Sequence, residues 1–234
     1  MTDDIEFETY IRISQERMGI YVFDKVKLEN IYSDEINLEI NLDNINFNIF
    51  IKFIEENIFK IEKSIGKFIN NVSLIIENKK ILSLNFGLKK KNYEKNISRS
   101  YIENILTEAK DLFRENYQDQ KIMHIIIEKY LIDGLKYTKF IDNLKCETIC
   151  IEVKFIFISN ILIFEIEKVL QRYQIKINNF LDENYIKSVF KENDIEFSLM
   201  AHKIKSGYND NEVYIIPKNQ RKTGFFEKFF QLFS

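Results

Sequence analysis

Apolar residues alternate with polar ones from Ile5 to Ile13, and Met18 to Phe23 is a run of strand formers. The polar stretch Ser14-Gln15-Glu16-Arg17 lies between them, which predicts a β-hairpin. Leu28 to Ile40 predicts one or two further strands, with Ile36, Leu38 and Ile40 on one face. The period then changes. Phe50, Phe53, Ile54, Ile58, Ile61, Ile65 and Phe68 recur at spacings of three and four, the signature of an amphipathic helix over about Phe47 to Ile69. Asp43, Asn44 and Asn46 are candidate caps for it. Val72 to Ile76 and Ile81 to Leu88 predict strands, and Ser100-Tyr-Ile-Glu103 has the capping-box pattern of a helix running to about Glu115. Met123 to Ile132 and Ile149 to Ile158 are the clearest strand signals. Asn160 then opens a helix through Tyr173, followed by a strand at Ile175 to Phe180 and helices near Asp182 to Phe190 and Ile195 to Ser206. Val213 to Ile216 predicts a last short strand ended by Pro217, the single proline.

This order is mixed α+β. Elements at both ends flank a central strand-helix-strand-strand block, which predicts one subdomain inserted in another. The expected boundaries are 1–79 with 160–216 for the outer subdomain, 80–159 for the insertion, and 217–234 for a basic linker and terminal helix.

Composition removes several function classes. With 234 residues and a net charge of −2, the chain has length for a core but no global basic field for nucleic acid. The richness in Ile, Lys and Asn, with Ala only at 109 and 201, resembles the codon bias of an AT-rich genome and carries no functional weight. Cys146 and Cys150 would share a strand face, too far apart for an ordinary disulfide. With His124 and His202 distant in sequence, no metal-ligand spacing appears. No apolar run approaches a membrane span, and MTDDIEFETY is too acidic for a signal peptide.

Catalytic chemistry finds little footing. Phosphate-cradling loops need clustered glycines so that backbone N–H groups can approach the anion. The six glycines here are scattered, with no GxGxxG and no GxxxxGK[ST]. His124 opens an apolar strand with no nucleophile nearby, so a structural role is expected. Asp34-Glu35 and Glu55-Glu56 are expected on solvated faces, and Lys89-Lys90-Lys91 in a solvated loop. The expectation is a protein that is not an enzyme and has no cofactor or metal.

The terminal GFFEKFFQLFS is different. As a helix it places Phe225, Phe226, Phe229, Phe230 and Phe233 on one stripe bordered by Leu232, with Lys218, Arg221 and Lys222 preceding it. Phenylalanine beside a basic flank is the composition of an interfacial membrane helix. These nine residues are the candidate membrane-binding set, with an anionic membrane surface as partner. A terminal helix docked on its own core is the alternative, which would leave a soluble interaction module.

With the tail in view, the chain resembles the bacterial cell-division protein FtsA, an actin-related membrane anchor of the division ring. The resemblance is carried by SYIENILTEAKDLF, by HIIIEKYLID and by the stretch from Ile149 to Val189, with YIRISQERMGIYVF resembling the first hairpin and NEVYIIPKNQRKTGFFEKFF the family's ending. It implies a partial actin-like (ribonuclease-H-like) subdomain with an inserted strand-helix-strand-strand (SHS2-type) subdomain. It also implies a peripheral position on the cytoplasmic face of the inner membrane. Divisome proteins, FtsZ or later division proteins among them, and further copies of the chain are the implied partners. Two departures matter. Ser14-Gln15-Glu16-Arg17 stands where the family has a glycine-bearing phosphate loop, and about thirty residues stand where it has its second actin-like half. Loss of nucleotide binding is therefore expected.

Overall fold

The computed structural model describes residues 6–38, 45–190 and 195–213. The described residues divide into two compact units, those within 6–81 and 158–208 and those within 82–157 and 209–213.

In the first unit, strands β1 (Phe7–Ile13) and β2 (Arg17–Asp24) form the expected hairpin, pairing antiparallel with Ile11 opposite Ile20. Strand β3 (Glu29–Asn37) adds antiparallel to β2, with a bulge between Val22 and Phe23. Helix α1 (Phe47–Ile65) then carries the chain to β4 (Asn71–Ile76), which lies parallel to β1. Strand β9 (Lys176–Asp182) lies parallel to β4 and completes the order β3-β2-β1-β4-β9. The unit also contains helices α3 (Asn160–Gln171), α4 (Glu183–Val189) and α5 (Phe197–Lys205).

Most of β1 and β2 is buried without alternation, as a strand covered on both faces must be. By contrast β3 alternates exposed and half-buried positions. Helix α1 buries Phe50, Phe53, Ile54, Ile58 and Ile61. Asn46 caps it by accepting hydrogen bonds from the amides of Asn48 and Ile49. The helix ends earlier than its apolar period predicts. Gly66 adopts φ 69°, a left-handed cap, and turns Phe68 out to 78% exposure.

The second unit is a four-stranded sheet in the order β5-β8-β6-β7 with one long helix. Strand β5 (Leu82–Asn96) pairs antiparallel with β8 (Lys145–Ser159). Helix α2 (Arg99–Asn116), strand β6 (Gln120–Ile132) and strand β7 (Leu135–Tyr137) lie between them in sequence. Ile102, Ile105, Leu106, Ala109 and Phe113 of α2 share a core with Ile149, Ile151, Val153 and Phe155 of β8. The Phe113 ring stacks on Phe155 with centroids 4.9 Å apart. The β6–β7 turn is Asp133-Gly134, with φ 48° and 83°, the two-residue geometry that suits the twist of a hairpin.

Several expectations shift. Lys89-Lys90-Lys91 lies inside β5 rather than in a loop, and Lys90 pairs with Glu108 of α2 at 2.6 Å. The cap of α2 is Ser98 rather than Ser100, and that of α3 is Ser159 rather than Asn160. Cys146 is buried in the core and Cys150 half-buried outside it, and both are free thiols. Of the last predicted strand, Val213 to Ile216, only Val213 is described; an isolated antiparallel bridge joins the preceding Glu212 to Ile126, and both residues group with the second unit.

One buried charge organises the first unit. Arg12 on β1 is 7% exposed, and its Nε donates to Glu183 Oε2 at 2.8 Å while Nη2 donates to the other carboxylate oxygen. Glu183 is fully buried at the start of α4 and also pairs with Lys187 at 2.7 Å. Burial opposes ionisation of Glu183, but hydrogen bonds from Arg12 and Lys187 outweigh it and hold the carboxyl below its usual range. Replacing Glu183 by Gln is expected to leave the guanidinium buried without its counter-charge and to cost about 3–5 kcal/mol, read by urea unfolding of the full chain. A loss below about 1 kcal/mol would contradict this role.

Candidate functional site

The first hairpin is where a nucleotide-binding relative would hold phosphate. Here its turn closes on itself. The Ser14 amide donates to the Arg17 carbonyl at 2.9 Å, and Ser14 Oγ accepts from the Arg17 amide at 3.1 Å. Beside the turn is a hollow with room for about one water, lined by Ile13, Ser14, Gln15, Met18, Leu38 and Glu77 among others. The cationic groups nearby are engaged. Arg12 is bound to Glu183 and lies 4.3 Å over the Phe197 ring, and Arg17 pairs with Glu35 at 3.2 Å. Glu35 also accepts a hydrogen bond from the Tyr21 hydroxyl, so it is more than the solvated acid expected of Asp34-Glu35.

A second polar cluster lies at the start of β1. Glu8 pairs with Lys205 at 2.7 Å and with His202 Nδ1 at 3.0 Å, and it accepts from the Tyr10 hydroxyl. Burial works against the ionised form, but Lys205, Tyr10 and His202 prevail and lower the Glu8 pKa to about 2. The cluster ties α5 to β1.

In the second unit, His124 is buried on β6, and its Nδ1 lies 2.7 Å from Glu212 Oε1. Next to this pair, the Ile127 amide donates to the Asn211 carbonyl at 2.8 Å and the Val213 amide to the Ile125 carbonyl at 2.8 Å. His124 therefore clasps the segment 209–213 along the edge of β6, in keeping with its expected structural role. Local sequence does not mark Glu212, whose partner lies 88 positions away. On α2, burial and then Arg114 push the Lys110 amine down to about 8. Among the described residues no group of His, Cys, Asp and Glu could hold a metal, and no helix is long and apolar enough to cross a membrane. The membrane-binding set, Lys218, Arg221, Lys222, Phe225, Phe226, Phe229, Phe230, Leu232 and Phe233, lies outside the described residues.

Three antiparallel strands followed by two parallel ones, with α1 crossing from β3 to β4, is the sheet of one actin-like half. The solved PilM–PilN type IV pilus biogenesis complex matches it at a TM-score of 0.51 and 6% identity, over 78% of this chain and 49% of that one. The fold is partial actin-like. Two further solved structures are similar at lower scores. The cytoplasmic domain of EpsL, an inner membrane component of the type II secretion system of Vibrio cholerae, has a TM-score of 0.36 and 10% identity, over 77% of this chain and 57% of that one. A protein of actin-like ATPase fold and unknown function from Bacteroides thetaiotaomicron has a TM-score of 0.34 and 12% identity, over 81% and 58%. The partial actin-like chain thus spans about half the length of these solved chains. No family model and no curated protein sequence matches it. None of these likenesses shows membership of the FtsA family.

The Glu8 cluster makes a pH prediction. Its folded-state pKa lies below the ordinary value of 4.5, so its stabilisation is complete above that value and is lost as pH falls toward 2. Glu8→Gln should remove part of this acid-sensitive slope, an effect on the order of 3 kcal/mol between pH 5 and 2. Urea midpoints measured across that range check it; parallel profiles for the two proteins would refute it.

Proposed function

We propose that the chain is a non-catalytic actin-like adaptor. Its inserted unit binds protein, and its C-terminal segment holds it to anionic lipid on the cytoplasmic face of the inner membrane. The observation that carries the non-catalytic part is the self-closed first hairpin. Ser14 bonds to Arg17, Glu77 lines the hollow beside the turn, and the nearby guanidinium of Arg12 is bound to Glu183. Among the described residues that line the hollow, an incoming phosphate would meet the Glu77 carboxylate and no cationic side chain. Calorimetric titration with ATP and magnesium should therefore give no heat of binding up to millimolar nucleotide. Micromolar affinity would overturn this part.

The lipid part rests on the sequence of the terminal segment. Each phenylalanine buried at the interface contributes ~1.5–3 kcal/mol, and each basic residue near anionic lipid about 1 kcal/mol. Ordering the segment costs on the order of 1 kcal/mol per residue. The balance favours reversible binding by one chain and firm binding by an assembly. The full chain should float with liposomes containing anionic phospholipid. The double substitution Phe229→Ser, Phe230→Ser should weaken binding at least about a hundredfold. Equal flotation of the full chain and of one ending at Lys222 would leave a soluble interaction module instead.

The assembly served is proposed to be the cell-division machinery, as the resemblance to FtsA implies. PilM belongs to a pilus biogenesis complex, so an adaptor role in another envelope assembly is the neighbouring reading. Co-purification of crosslinked partners from dividing cells, with FtsZ probed directly, separates the two.

A further inference from the structure

The inserted unit has one unguarded edge. Strand β5 is the outer strand of its sheet, and among the described residues nothing pairs with its free side. The other edge is covered, because β7 pairs with β6 at Tyr130–Ile132 and the segment 209–213 bonds to it at Ile125 and Ile127. Exposed edges ordinarily carry charges, prolines or bulges that stop another strand from adding. In β5 such devices occupy only the second half. Lys89, Lys90 and Lys91 come first, and an irregularity between Lys91 and Lys95 follows, with Tyr93 and Glu94 at positive φ.

The first half, Leu82-Ser-Leu-Asn-Phe-Gly-Leu88, has no charge and no proline. It alternates cleanly. Leu84, Phe86 and Leu88 face the α2 core, but Leu84 and Phe86 are only half-buried and Leu82 is 54% exposed. Ser83, Asn85 and Gly87 occupy the opposite face, and all three are exposed.

We propose that this edge pairs with the same edge of a second copy, antiparallel about a two-fold axis at Asn85, to make one continuous sheet. The sequence is self-complementary in that register alone. Residues opposite each other across an antiparallel seam share a face. Centred on Asn85, Leu82 meets Leu88 and Leu84 meets Phe86, so every apolar residue faces another. On the other face Ser83 meets Gly87. Moving the centre to Phe86 sets Leu82 against Lys90, and moving it to Leu84 sets Leu88 against Lys80. In the Asn85 register the lysine triplets of the two copies lie at opposite ends of the seam. The pairing names the protein partner of the inserted unit in the adaptor reading and rests on that reading for its purpose. Its test needs neither lipid nor nucleotide, so loss of flotation and loss of the dimer are separate results.

Sedimentation equilibrium of the full chain should give a concentration-dependent mass rising to twice that of the chain. The double substitution S83K G87K places lysine opposite lysine twice and should raise the dimer dissociation constant at least about tenfold. A side chain at Gly87 is tolerated by the fold itself, since an added Cβ would lie 3.6 Å from Cys150 Sγ, an ordinary contact. The charge-paired S83E G87K, which carries as many changes, should restore the dimer. Asn85→Cys should form an intermolecular disulfide under mild oxidation, because the two positions face each other at the axis, whereas Lys89→Cys should not. A monomer at every concentration would overturn the proposal. So would a dimer indifferent to S83K G87K, or equal losses from both double variants.

Discussion

The first unit depends on a charge in the wrong kind of place. Arg12 sits in the middle strand of a sheet among Tyr10, Ile11 and Ile13, all fully or almost fully buried. A guanidinium there is tolerable only with a carboxylate in bidentate reach, and Glu183 supplies it from the first residue of α4. The bond joins the two sequence segments of the unit, between residues 171 positions apart. It also fixes how the chain leaves β9, because Asp182, the last residue of that strand, caps α4 by accepting from the amides of Asn184 and Tyr185. The start of α4 is thus held from inside by Arg12 and from outside by Lys187. Hydrophobic burial condenses the sheet, but the ion pair says which helix end belongs over which strand.

The same bond bears on chemistry. In an actin-like sheet the first hairpin is the place for an anionic ligand, and a cation one strand residue before its turn would be useful there. Here the cation faces a permanent internal anion. A phosphate would have to displace Glu183 from a site where that carboxylate is already held in its charged form. The ion pair that orders α4 over β1 and the engagement of the cation nearest the first turn are in this sense one arrangement of charge.

Local periodicity made much of the fold legible in the sequence. The β1–β2 hairpin, the buried stripe of α1 and the alternation of β8 follow from spacings of two, three and four that need no distant partner. The misses have physical reasons. Helix α1 stops at Gly66 because one left-handed residue outweighs a continuing apolar period. The lysine triplet belongs to a strand because β8 offers it a ladder and Glu108 offers Lys90 a partner. Asp133-Gly134 is a plain hairpin signal just past the strand predicted to end at Ile132, in a stretch given no element. Arg12–Glu183 and His124–Glu212 could not be read locally, since each joins residues far apart in the chain. The tail set is legible only as composition, and its nine residues stand outside the described structure.

Edge management shows what kind of protein this sequence builds. On the first sheet the outer strand β3 carries Glu29, Asp34 and Glu35, so an added strand would have to desolvate or oppose carboxylates. On the second sheet the β6 edge is occupied by β7 and by the clasped segment 209–213. A chain with 30% charged residues nevertheless leaves seven consecutive positions of β5 without one. An aggregation hazard of that kind is removed by a single lysine on the solvent face, and Gly87 has the space for a side chain. The neighbouring lysines begin only where the apolar alternation ends, so the sequence limits the seam's length while keeping its centre open. Protection confined to one end of an edge restricts which strand can add and in what register, as the proposed pairing of two copies requires.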